Sequence, residues 1–234
     1  MQFRKIHYAL PVLAMLAGIF LQYAGVDVWF EHFFYDETHH LWPYDHNWLA
    51  SNVIHRGGQF VMKIIALGML IFAISSLFIK KLKIYRKASW YLVLASFTSA
   101  AIIGELKSIT HIYSPWDLLI FGGKYPHIRL FDAVASSAPV GHAFPAGHAG
   151  GGFALLSFYF LYREKDHSYS YYFLVVALSI GLIFGIDQDI RGAHMLSHDL
   201  FSFAICWLTC MLWTVLFFTD KPIITFARSK QLPG

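Results

Sequence analysis

Charge is scarce in this chain of 234 residues: Asp, Glu, Lys and Arg make up 14% of it, against roughly 25% in an ordinary soluble domain. A soluble protein of this size needs more charge than that to cover its surface, so the surplus apolar area must face lipid. Cysteine is almost missing as well. The two present, Cys206 and Cys210, lie four apart in an apolar run, on one helical face where small apolar packing is the default role. A disulfide within one helical turn is geometrically unfavourable and no metal-type cysteine cluster exists, so cysteine says nothing about compartment. Repeats, low-complexity tracts and linkers long enough to separate a second domain are also lacking, and one domain over 1–234 is expected.

Apolar sequence is what the chain has in quantity, with 57% hydrophobic residues and a mean hydropathy of +0.51. A helix of about 20 residues crosses ~30 Å of hydrocarbon, and six runs approach that length, near residues 8–25, 60–79, 88–106, 144–162, 170–187 and 195–219. The first has a basic start, Arg4 and Lys5, like a secretory signal, but it is long enough to span and is read as a retained helix. The expected fold is therefore all-α, a polytopic membrane helical bundle of about six transmembrane helices. Most of the 22 Phe, 13 Tyr and 7 Trp then serve lipid-facing packing and interfacial belts.

The connecting segments sort by charge. Lys80, Lys81, Lys83, Arg86 and Lys87 lie between the second and third runs with no acidic residue among them. Arg4 and Lys5 precede the first run, Arg163 and Lys165 follow the fourth, and Lys221, Arg228 and Lys230 follow the sixth. The first loop instead carries Asp27, Glu31, Asp36, Glu37 and Asp45 against Arg56. By the positive-inside rule both termini are cytoplasmic, and the loops near 26–59, 107–143 and 188–194 face outward. The net charge of +4 and pI near 9.0 are thus read as topology, with no nucleic-acid partner; nothing in the sequence sets an oligomeric state.

Three segments at outward helix ends carry ionisable groups: Lys107 to Pro115, Pro145-Ala-Gly-His148, and Arg191-Gly-Ala-His194-Met-Leu-Ser-His198-Asp199. Ionisable groups at membrane depth are expensive and are functional candidates by default. Two histidines, a lysine and an arginine at one level suit chemistry on an anion. Phosphoryl transfer needs positive charge and donors around three equatorial oxygens, an in-line nucleophile and an acid for the departing oxygen. A neutral imidazole can be that nucleophile if an acceptor orients its other ring nitrogen, and backbone N–H groups at a Gly-containing helix start would add donors.

These segments resemble the three signatures of the phosphatidic acid phosphatase type 2 superfamily, KX6RP, PSGH and SRX5HX3D. The motif resemblance covers about 100–205, with a catalytic core expected over about 88–219. It implies that His194 is a nucleophile forming a phosphohistidine, that His148 is the general acid, and that Lys107 and Gly147 help hold phosphate. Departures are specific: Ser114 stands where the family has arginine, Ala146 replaces its serine, and Gln188 replaces the arginine six positions before the nucleophile. Arg191, nearly one turn before His194, is the candidate substitute. The family's aspartate falls on His198, with Asp199 adjacent; Asp199 is taken as the orienting carboxylate, with His198, Asp187 and Asp189 as alternatives.

The expected function is a membrane lipid phosphatase, a phosphoric ester or diphosphate hydrolase whose partners are the bilayer and a phosphorylated lipid. The expected location is a bacterial-type inner membrane with the active site toward the periplasm, and no metal or other cofactor is called for. Alternatives are a lipid phosphotransferase, a lipid-binding or transport protein of the same fold, and a vanadate-dependent peroxidase, which the hydropathy disfavours. His32, His39, His40, His46 and His55 read as a solvated loop face, with divalent-metal binding as the rival. His111, His127 and His142 read as interfacial polar residues, and Lys63 and Glu105 as snorkelling side chains. Trp116-Asp117 is a candidate for the pocket mouth, and Gly122-Gly123-Lys124 a turn with Lys124 as a headgroup contact.

Overall fold

The computed structural model describes residues 3–163 and 166–218. Lys165, Lys221, Arg228 and Lys230, counted above as inward-facing charge, lie outside them. The described chain is mainly helical, with no strand and two isolated bridges, Asp36 with Leu41 and Leu118 with Tyr125. Five helical stretches are long and apolar enough to cross a membrane: Lys5–Tyr23, Leu49–Phe78, Lys80–Ile109, His167–Ile190 and Leu196–Phe218.

Helix α1 (Lys5–Tyr23) packs along α8 (Leu196–Phe218). Near its start the His7 carbonyl accepts from the Trp207 indole at 2.9 Å, and near its end Gln22 donates to the Ser197 hydroxyl at 3.2 Å. Gly25, at φ +73°, breaks the helix and starts the short α2 (Val26–Glu31). After an irregular stretch the chain winds through a wide, π-type helix over Leu49–Gly57 into α3 (Gly58–Phe78). The second span therefore begins eleven residues before the expected 60, because the polar Leu49–Gly57 segment is helical without being apolar. The Arg86 guanidinium then donates to the Ser76 and Leu77 carbonyls, closing the α3 terminus before α4 (Arg86–Ile109).

The expected fourth span is two seven-residue helices, α5 (Gly147–Phe153) and α6 (Leu156–Tyr162), separated by a turn. No residue of either helix is exposed, and both are packed on α7 (His167–Ile190), α8 and α4. Ala146 lies against His198 at the start of α8, while Tyr159 meets His7 and Arg163 lies over the Phe3 ring beside the start of α1. The broken pair thus covers the same depth as α1. Asp166 caps α7, accepting from the Ser168 and Tyr169 N–H groups at 2.9 and 3.1 Å. Cys206 and Cys210 are buried free thiols in the core, as small packing residues.

Opposite ends of the bundle differ in chemistry. Lys87 sits over the Phe218 ring at the end of α8, and Arg163 beside the start of α1. The histidine-rich segments gather where α4 and α7 end and α5 and α8 begin.

Candidate active site

Two backbone features bring the three charged segments together. Residues after α4 run beside those before α5, with Gly141 donating to the Thr110 carbonyl at 2.9 Å and Ala143 to that of Ile112 at 3.3 Å. This sets Lys107 over Gly147: a Cβ added there would lie 3.8 Å from the lysine Nζ. The second feature is the turn from α7 to α8. Gly192 adopts φ +77°, and a Cβ on it would lie 2.4 Å from the Trp42 ring, so only glycine fits both the turn and the contact. The Gly192 carbonyl also accepts from Trp116 N–H at 3.0 Å, which anchors the Trp116-Asp117 segment to this loop.

His194 projects from that turn and is 4% exposed. Burial first, then positive charge on Lys107, His198 and His148, holds its ring well below the ordinary imidazole range. It is therefore a neutral base at neutral pH, the form a nucleophilic imidazole needs. The Ala143 backbone carbonyl faces both the His194 and His198 rings. His198 is fully buried, 5.8 Å from His194 between ring centres, and packs edge-on against Phe144.

Around His148 the neighbours are His55, Lys107, Arg191 and Lys63. The His55 and His148 rings lie 4.2 Å apart at 32°. Arg191 reaches back to the first loop, its Nη2 2.9 Å from Asp45 Oδ1, while its Nε and Nη1 are buried without partners. His148 Nε2, His194 Nδ1 and His55 Nδ1 are likewise buried and unpartnered. Buried donors in native proteins are nearly always satisfied. Several orphaned on one side of one cluster, among cations, mark the place an anion would be bound.

Asp199 lies elsewhere. Its carboxylate lies beside that of Asp189, and Asp27 and Glu31 complete a buried group of four. Among the described residues the charged groups facing His194 are Lys107, His198 and His148, so the acceptor beside His194 is a carbonyl, while Asp199 lies among the acidic group. Asp27 accepts from Ser197 N–H at 3.1 Å, yet burial raises it to about 6; Glu31 is raised well above the carboxylate range by burial, Asp27 and Asp199. Among the described residues no group of three or more His, Cys, Asp or Glu side chains is arranged to hold a metal ion.

The remaining expected residues divide. Gly147 and Ala146 are in place, Ala146 fully buried with its carbonyl accepting from Ser202 at 2.8 Å. Gln188 is buried, donates to Asp187 Oδ2 at 2.7 Å and lies beside the His55 ring. Ser114 is buried, but its recorded contact is a carbonyl accepting from Asp117 N–H, and its hydroxyl meets none of the cluster among the described residues. Gly122, at φ +78°, does form a turn. Of the five first-loop histidines, His32, His39, His40 and His46 are exposed, as a solvated face requires, whereas His55 enters the site together with Trp42 and Asp45. The acidic loop residue opposite a basic helix end was the available signal for Asp45; no local pattern distinguishes His55 from its four loop companions.

A cavity of about 320 Å³ opens onto Lys107, Gly147 and His148, bounded by Gln59, Met62 and Phe184. It shares Gln59, Met62 and Gly151 with an almost wholly apolar groove of about 200 Å³ between α3 and α4, floored by α5.

A polytopic helical bundle with a cationic, histidine-bearing site at one end defines a membrane protein of an anion-handling class. The PAP2 superfamily profile matches residues 88–222, and the chain belongs to that superfamily, a family of phosphatases and phosphotransferases. No curated protein and no solved structure matches the chain.

Proposed function

We propose that this protein is a membrane lipid phosphatase that cleaves a phosphate monoester or diphosphate through a phosphohistidine, with the site on the outward, periplasmic face of a bacterial-type inner membrane. The observation that carries the reading is the continuity of the Lys107–His148 cavity with the apolar groove. A phosphate at the cations leaves a hydrocarbon tail lying between α3 and α4. The basic charge gathered at the opposite end supports the orientation, with the broken α5–α6 pair as a sixth crossing and both termini cytoplasmic.

In the mechanism a ring nitrogen of neutral His194 attacks phosphorus. As that bond forms, the bond from phosphorus to the leaving oxygen breaks, and protonated His148 delivers a proton to that oxygen. Lys107 and Arg191 neutralise the charge spread over the equatorial oxygens. His148, now neutral, takes a proton from the water that attacks the phosphohistidine; the N–P bond breaks and orthophosphate leaves.

The test is phosphate release by the detergent-purified full-length protein from phosphatidic acid, phosphatidylglycerophosphate, undecaprenyl pyrophosphate and lipid A, with EDTA present. Release from at least one lipid is expected, and His194→Ala should lower it by at least about a thousandfold. Binding without release by folded protein would instead favour a lipid-binding role, for which the neutral Ser114, Ala146 and Gln188 would be the reason. Appearance of phosphate on a second lipid without free phosphate would make it a phosphotransferase.

A further inference from the structure

His55 lies in the π-type segment Leu49–Gly57, N-terminal to the 88–222 stretch that defines the family, so nothing in the shared pattern gives it a role. The winding itself is unusual, since π-helical turns are rare and concentrate at functional sites. Its effect here is to carry an imidazole from the second span onto the face of His148, with ring centres 4.2 Å apart.

Simple aromatic packing is a poor account of that contact. Both rings present a buried nitrogen without a partner, His55 Nδ1 and His148 Nε2, and a buried unpaired polar atom costs free energy that a phenylalanine or leucine would not. Charge points the same way. The groups facing His55 are Arg191 and Gln188 at the end of α7, Arg56 on its own helix, Asp45 in the first loop and His148 on α5. Behind His148 stand Lys107 and Lys63. Among the described residues Asp45 is the one carboxylate facing His55, and Arg191 already engages it at 2.9 Å. A second imidazole placed amid that much positive charge is balanced by a dianion.

We propose that His55 is a substrate-contacting residue of this active site, binding the transferring phosphate beside His148 and supplying the positive charge that neutral Gln188 does not. The proposal rests on the phosphatase reading above. In the complex His55 carries a proton and donates from the nitrogen that is otherwise unpartnered. Phosphate binding is then favoured at the acid side of the imidazole range and weakens as pH rises through it.

Two measurements on the full-length protein in detergent test this: calorimetric binding of inorganic orthophosphate, and kcat and KM for whichever lipid shows His194-dependent release, each from pH 5 to pH 8. Loss of one charge-assisted hydrogen bond should weaken orthophosphate binding and raise KM about tenfold or more in His55→Ala, and should make the rise of KM with pH shallower, leaving the part that His148 contributes. The double variant His55→Ala with Gln188→Arg, which returns a fixed cation to the same spot, should recover most of the lost affinity without recovering the lost part of the pH dependence. His194→Ala should be inactive yet still bind orthophosphate, which separates the two readings. Unchanged binding and KM in folded His55→Ala would overturn the proposal. So would a loss that Gln188→Arg does not relieve, since that outcome marks a purely structural ring. If wild type neither binds orthophosphate nor releases it, the phosphatase reading falls, and this one with it.

Discussion

At the scale of single residues the site is built from a contrast between its two halves. One half gathers Lys107, Arg191, His55, His148 and His194; the other, a few side chains away, buries Asp27, Glu31, Asp189 and Asp199 together. Four carboxyl groups at that density cannot all ionise. Asp27 gives this a measurable sign. Its folded value of about 6 stands above the ordinary aspartate value of 3.8, so between those values the folded state holds the proton more tightly than the unfolded state. Stability therefore falls as pH rises through that window and is level above it. Asp27→Asn keeps an oxygen for the Ser197 N–H and removes the titration. Its thermal midpoint in detergent should exceed that of wild type at pH 7.5 and match it near pH 4.

Which residues meet was legible where the pattern is local. Lys107, His148, Arg191 and His194 sit in short stretches whose residue types and order are informative in themselves. Asp199 was not, because a one-residue offset on a helix turns a side chain by about 100° and only packing decides which neighbour it meets. His55 and Asp45 reach the site through contacts with residues 93 and 146 positions away, which no local pattern encodes.

Among the elements, apolar length located five spans because lipid-facing helices must be apolar over their whole run. The fourth was expected as one helix and is two. Enclosure explains the break: α5 and α6 touch protein on nearly all sides, so their backbone can turn at Ala154–Leu155 without exposing polar groups to hydrocarbon. The glycines of α5 set how close that enclosure is. A Cβ on Gly152 would lie 2.6 Å from Gly181 Cα on α7, a backbone-to-backbone approach with nothing flexible to yield. Gly152→Ala should force α5 from α7 and destabilise the fold by about 1–3 kcal/mol, the usual range for overpacking, read as a lowered unfolding midpoint. Gly151, whose Cβ would meet nothing within 4 Å, is the control, and Gly151→Ala should leave that midpoint unchanged.

For the whole molecule, the arrangement of cavity and groove makes a separate claim about the substrate. Met62 lines both the cationic cavity and the apolar groove. On the proposed reading Met62→Trp obstructs the junction between them: KM for a long-chain lipid phosphate should rise severalfold, while KM for a short, soluble phosphate monoester should hold. Equal effects on both would place the tail elsewhere. The all-helical bundle and five of its long apolar runs followed from hydropathy, which is a global property of the chain. The groove did not, because it is a gap between helices and depends on side-chain volumes across three of them.

That gap has a kinetic corollary. On the proposed reading, a lipid that reaches the cations along a groove between α3 and α4 never leaves the bilayer, so encounter is a two-dimensional search. The quantity governing turnover is then the surface density of substrate in the leaflet. Diluting that lipid with inert lipid should slow the enzyme, whereas adding buffer at fixed membrane composition should not.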